Sequence, residues 1–179
     1  PELIVHVGHS GLDDARALAA HAEGVGAGGI AAVPPFYFRP TTVADAVACA
    51  ARIASAAPTT PFFYYHIPSF TGVNVPMAAF LPVAAAAIPS FAGIKFTHEN
   101  LADFARCLEL AEGRLELFFG RDEMLLAALA MGARSAVGTT YNVAAPLFLR
   151  LGAAFDRGDL AEARRLQGAA IRMVEVAVA

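Results

Sequence analysis

Chemistry that needs a side-chain primary amine has one candidate in this sequence, because Lys95 is the only lysine among thirteen basic residues. It stands in Gly93-Ile-Lys-Phe-Thr97, one βα spacing after Phe63-Tyr-Tyr-His-Ile67. Side chains alternate along a strand, so Phe63, Tyr65 and Ile67 share one face, and Gly93, Lys95 and Thr97 share one face of the neighbouring strand. If those faces point into a barrel, a phenol and an amine meet near its mouth. A lysine enclosed by apolar walls loses hydration, which favours the neutral, nucleophilic amine. Such an amine attacks a ketone to form a Schiff base, and the protonated imine then withdraws electrons from an adjacent C–C bond. A tyrosine beside it can shuttle the proton. The competing reading is a lysine that snorkels from a strand end or makes a buried ion pair.

The elements that must position these groups recur with regularity. Leu3 to Val7 reads as a strand and Leu12 to Ala27 as a helix closing on Gly28-Gly29. The pair repeats as Gly29–Val33 with Thr41–Ala57, Phe62–Ile67 with Val75–Ala87, and Gly93–Thr97 with Leu101–Ala111. Leu115–Phe119 with Glu123–Met131 and Ala136–Thr140 with Ala145–Phe155 complete six βα units, and a last helix, Leu160–Val178, starts after an Asp159 cap. Continuous apolar strands alternating with amphipathic helices predict a parallel sheet covered by helices. An open nucleotide-binding sheet would carry a glycine-rich phosphate loop after its first strand, but here that turn is Gly8-His-Ser-Gly11. The pattern favours a (β/α)₈ TIM barrel, read as a single domain over residues 1–179, of which this chain holds about six βα units plus the C-terminal helix from about Asp159.

Composition narrows the class. At 57% hydrophobic residues, a formal charge of -3 and no basic stripe, the chain predicts neither disorder nor a nucleic-acid or membrane-surface partner. No charged residue occurs between Ile53 and Ile94, yet six prolines cut that stretch into pieces too short to span a bilayer. Cys49 and Cys107 sit in Ala- and Leu-rich helical patterns, as small buried thiols do. With no charged leader or cleavage site before the first strand, the expected location is cytoplasmic. The opening Pro-Glu in place of Met suggests a piece of something longer.

Four separated blocks, in order, then carry a resemblance: Tyr65-His-Ile-Pro-Ser-Phe-Thr-Gly-Val73, Gly93-Ile-Lys-Phe-Thr97, Phe119-Gly-Arg-Asp-Glu123 and Gly138-Thr-Thr-Tyr-Asn142. Together they resemble the N-acetylneuraminate lyases, of animal type, in the dihydrodipicolinate synthase-like superfamily of class I aldolases. The resemblance implies a TIM barrel, a homotetramer, and cleavage of sialic acid, a 2-keto acid sugar, to pyruvate and N-acetylmannosamine. It implies Lys95 as the Schiff-base lysine and Tyr65 as the proton donor and acceptor. Thr97, Gly120, Asp122, Glu123 and Thr139 become substrate contacts. No cofactor or metal is implied, and the five histidines share no metal-ligand spacing. Two carboxylates in one loop suit a polyol, being pure acceptors, although Asp122 and Glu123 also fit first-turn capping of the helix that follows.

Other positions qualify the resemblance. Related synthases carry an arginine where this chain has Phe70, and an apolar ring cannot bind a second carboxylate as a guanidinium does. Tyr37, where the superfamily often places a tyrosine near a subunit interface, reads more simply as packing. His66 reads as a structural histidine hydrogen-bonded behind its strand. Arg164-Arg165 reads as a solvated face or an interface. The blocks begin at the family's third strand, so the six units correspond to strands three to eight, without the loop that holds the substrate carboxylate. The alternatives are a related aldolase for 2-keto-3-deoxy sugar acids, a synthase, or a non-catalytic barrel remnant.

Overall fold

A computed structural model describes residues 3–178. Its elements run β1 (Ile4–His6), α1 (Leu12–Gly24), β2 (Gly29–Ala32), α2 (Val43–Ala54), β3 (Phe62–His66), α3 (Pro68–Thr71), α4 (Met77–Ala87), β4 (Phe91–Phe96) and α5 (Leu101–Ala111). Then follow β5 (Glu116–Phe119), a 3₁₀ turn (Asp122–Met124), α6 (Leu125–Ala130), β6 (Ser135–Ala136), α7 (Tyr141–Asp156) and α8 (Leu160–Val178). The six strands are parallel and ordered β1-β2-β3-β4-β5-β6, a curled part of a (β/α)₈ barrel with the helices on its outer face.

Side-chain parity separates core from lumen. Tyr64, Ile94, Phe96 and Phe119 point outward and are fully buried beneath the helices, with Phe80 of α4 and Phe104 of α5 closing over them. The rings pack tightly: Tyr64 lies 4.3 Å from Phe80, and Phe104 lies 5.3 Å from Phe96 and 5.1 Å from Phe119. The opposite parity puts Phe63, Tyr65, Lys95 and Phe118 on the inner face, where Phe63 and Phe118 meet at 5.4 Å across β4. Gly93, which pairs with Phe63 on one side and Glu116 on the other, puts no side chain into this face. A Cβ there would come within 1.9 Å of the Glu116 carbonyl.

Short polar side chains set the helix starts. Thr42 caps α2 by accepting from the Asp45 N–H at 3.1 Å, and Asn100 caps α5 by accepting from the Asp103 N–H at 3.1 Å. The Asp103 carboxylate in turn accepts from the N–H groups of Met77 at 2.8 Å and Ala78 at 2.9 Å, so one acid secures the first turn of α4 from a neighbouring helix. Asp159 caps α8 as expected, through the Glu162 N–H at 3.1 Å.

Several boundaries differ from the sequence reading. Helix α1 stops at Gly24, since Gly26 takes a left-handed φ of 78° and turns the chain before Gly28. The single turn α3, opened by Pro68 and closed by left-handed Gly72, falls in a stretch read only as a strand end. Strand β6 holds two residues, and α7 begins at Tyr141, before the expected Ala145, with a kink at the non-helical Ala144 just ahead of Pro146. Cys107 is buried, whereas Cys49 is only partly so. Tyr37 does not pack as expected: it is 78% exposed, edge-on to an equally open Phe38.

Candidate active site

Strands β3 and β4 pair so that Tyr65 is the direct neighbour of Lys95. Both side chains point to the lumen at the carboxyl ends of their strands, and the Lys95 Nζ lies 4.1 Å from the centre of the Tyr65 ring. The Phe63 and Phe118 rings flank them on the same inner face. Above them opens a cavity of about 610 Å³, in the range of small-molecule sites. The cavity is lined by Lys95, Tyr65, Thr97, Gly120, Asp122, Glu123 and Thr139 together, so residues from four separate sequence blocks converge on one space.

Each side chain has an identifiable support. The Thr97 N–H donates to the His66 carbonyl at 2.8 Å, and the Gly120 N–H to the Phe96 carbonyl at 2.8 Å, extending the β3–β4–β5 ladder to the rim. The Thr97 hydroxyl is buried without a hydrogen-bond partner among the described residues, and position 120 favours glycine because a Cβ would sit 1.9 Å from that hydroxyl. Thr139 is exposed in the loop before α7, with its carbonyl accepting from the Asn142 side chain at 3.0 Å.

Asp122 departs from the capping alternative. It is only 5% exposed, and its Oδ2 accepts from the N–H and hydroxyl of Thr140, the residue that opens α7. It therefore ties the turn after β5 to the start of a different helix from the one that follows it in sequence. Its second oxygen, Oδ1, is buried with no hydrogen-bond partner among the described residues. A Cβ at Gly138 would fall 1.5 Å from it. Burial, then the Asp122 and Glu123 carboxylates, pushes the Tyr141 hydroxyl's pKa upward.

The lining residues that the sequence did not assign include His6, Thr71, Arg121 and Thr140. His6 on β1 meets the Tyr65 ring edge-on at 5.9 Å, and burial, then the Lys95 charge, pushes its pKa down. Thr71 enters with α3, Thr140 through its bonds to Asp122, and Arg121 through a guanidinium between two glutamates. Thr71, Arg121 and Thr140 lie inside the quoted sequence blocks, whereas His6 lies outside all four. The hydrogen bond expected of His66 is absent at Nδ1 among the described residues: the ring is 1% exposed and stacks on His98 at 5.5 Å. Burial, then His98, pushes its pKa down to about 3. Among the described residues, no group of three or more His, Cys, Asp or Glu could hold a metal ion, and no helix is long and apolar enough to cross a membrane.

The profile of the dihydrodipicolinate synthetase family matches residues 2–179. Among curated relatives, the N-acetylneuraminate lyase of Gallus gallus is 42% identical over 166 residues, covering 92% of this chain and 54% of its own length. Among solved structures, the Proteus mirabilis N-acetylneuraminate lyase superposes with a TM-score of 0.94 at 37% identity, over 99% of this chain and 60% of its own. The N-acetylneuraminate lyase (sialic acid aldolase) of Aliivibrio salmonicida gives the same TM-score, 0.94, at 40% identity, over 99% and 59%. The chain thus spans about half the length of the curated relatives it matches.

Proposed function

The chain belongs to the dihydrodipicolinate synthetase family, and from that premise we propose that the protein is a class I aldolase that cleaves N-acetylneuraminate to pyruvate and N-acetylmannosamine. The observation that carries this reading is the register pairing of Tyr65 with Lys95 at the floor of the cavity, with the amine 4.1 Å from the ring centre. The Lys95 amine attacks the C2 ketone, and loss of water gives an iminium. Tyr65 takes the proton of the C4 hydroxyl as the C3–C4 bond breaks, and that electron pair moves into the iminium to form an enamine. Protonation of the enamine at C3 from Tyr65, then addition of water at C2, releases pyruvate and restores the amine. The iminium is the electron sink, so the chemistry needs no metal or cofactor.

The far wall suits the rest of an open-chain sugar acid. Thr97 and Thr139 offer hydroxyls, Gly120 leaves room, and Asp122 Oδ1 and Glu123 offer acceptors. Phe70, 85% exposed at the cavity rim, offers no cation for a second carboxylate, which favours the lyase over a synthase. The open aromatics Tyr37, Phe38 and Phe70 support a homotetramer formed over that rim. We assign the six units to strands three to eight of the barrel within one domain and place the protein in the cytoplasm. The test is reduction with borohydride in the presence of pyruvate, followed by intact mass and peptide mapping. The lyase gains one carboxyethyl group on Lys95, and Lys95→Ala gains none. A protein that forms no adduct is not a Schiff-base aldolase.

A further inference from the structure

Arg121 has no part in the reaction written above, yet it lines the cavity between Gly120 and Asp122 with a side chain only 29% exposed. Its guanidinium spans two carboxylates. Nη1 donates to Glu123 Oε1 at 3.2 Å, and Nη2 donates to Glu99 Oε2 at 2.7 Å. Glu99 follows β4 and Glu123 lies in the turn after β5, so one side chain ties the rims of adjacent strands. Glu99 stands outside the cavity lining, and its carboxyl is held below the ordinary range chiefly by the hydrogen bond from Arg121. It is the outer anchor. Among the described residues the second oxygen of Glu123, Oε2, has no hydrogen-bond partner.

An unclamped glutamate at a cavity wall loses rotamer freedom whenever a ligand engages it. A guanidinium fork removes that freedom beforehand and leaves Oε2 as the available acceptor. Asp122 and Glu123 line this wall, and Glu99 pairs with the one guanidinium from outside it, so the wall remains an acceptor surface for hydroxyls.

We propose that Arg121 is a positioning residue that holds Glu123 against Glu99, presents Glu123 Oε2 to the hydroxyl tail of the sugar, and so sets selectivity for long polyol substrates over short 2-keto acids. This rests on the lyase reading. The test compares N-acetylneuraminate with 4-hydroxy-2-oxopentanoate, which has the scissile bond and no polyol tail. Arg121→Gln should raise KM for N-acetylneuraminate about tenfold, the loss of one charge-assisted contact, and leave kcat and the short acid unaffected. Arg121→Lys should recover part of the loss, and Glu99→Gln, which leaves the cavity wall intact, should show a smaller rise of the same kind. Equal effects on both substrates, or on kcat alone, would overturn the proposal. Calorimetric titration with N-acetylmannosamine decides it without turnover: binding about tenfold weaker in Arg121→Gln supports the clamp, and unchanged binding refutes it. Absence of a pyruvate adduct in the unsubstituted protein would remove the lyase reading, and the titration would still judge Arg121.

Discussion

Replacing Asp122 separates its two roles. Its Oδ2 accepts from the Thr140 N–H at 2.9 Å and from the Thr140 hydroxyl, and both residues are nearly enclosed, at 5% and 6% exposure. Asp122→Ala leaves two buried donors unpaired, each costing about 1–3 kcal/mol, so a total near 3 kcal/mol is expected after partial relaxation. Asp122→Asn keeps an oxygen that can accept from both donors and loses only the charge assistance, about 1 kcal/mol. With a urea m-value of about 2 kcal/mol/M, the midpoint of equilibrium unfolding, followed by circular dichroism, should fall by about 1.5 M for Ala and about 0.5 M for Asn. Thr140→Val removes the hydroxyl and should couple to Asp122→Ala by about 1 kcal/mol in a double-mutant cycle. Asp122→Asn, folded but with an amide in place of the free Oδ1 acceptor, should bind N-acetylmannosamine more weakly. Equal costs for Ala and Asn with no coupling to Thr140 would refute the clamp between the β5 turn and α7.

Three further outcomes follow from the geometry. Tyr65→Phe keeps the ring beneath Lys95 and removes the proton carrier, so kcat for lyase turnover should drop by about 10²–10⁴ while the borohydride-trapped pyruvate adduct persists; loss of the adduct as well would mean that Tyr65 serves Lys95 structurally. His66 titrates near 6.5 when unfolded and near 3 when folded, so the unfolded chain binds more protons in that window. Stability is then complete above about pH 6.5 and falls as pH drops toward 3, by up to about 1.4 kcal/mol per pH unit from this group. His66→Leu should flatten the dependence of unfolding free energy on pH by about one proton, and an unchanged slope would show that another group carries it. Gly120→Ala drives a Cβ to 1.9 Å from the Thr97 hydroxyl and should cost about 1–3 kcal/mol in thermal unfolding; adding Thr97→Ala should restore part, and no restoration would place the clash elsewhere.

The barrel units and the lysine–tyrosine pair were legible because each depends on a period. Parity two residues apart along Phe63–Ile67 and Gly93–Thr97 is a property of any strand, and the structure keeps Tyr65 and Lys95 on that one face. The residues that escaped the reading depend on contacts between segments distant in sequence. Asp122 was expected in the site, but its bonds were not, because nothing local announces that Thr140, eighteen positions on, holds two donors for its carboxylate. His6 is three strands from Lys95 in chain order, and no local spacing announces that its ring meets Tyr65. The His66 ring stacks on His98, which no spacing rule separates from an ordinary hydrogen-bonded histidine.

The same packing that makes the fold also fixes the chemistry. Lys95 lies between Ile94 and Phe96, both fully buried under α4 and α5, on a strand whose register with β3 shifts once, at Phe62–Phe63, and then runs true through Tyr65. A slip of one residue would turn Ile94 and Phe96 into the lumen and drive Lys95 into the aromatic layer of Phe80 and Phe104. There an ammonium without a partner costs several kcal/mol or more, on top of about 1.5–3 kcal/mol for each apolar side chain exposed. The register that sets Lys95 beside Tyr65 is therefore held by side chains that never touch the cavity. A substitution such as Phe96→Ala should weaken the placement of the amine as it weakens the core.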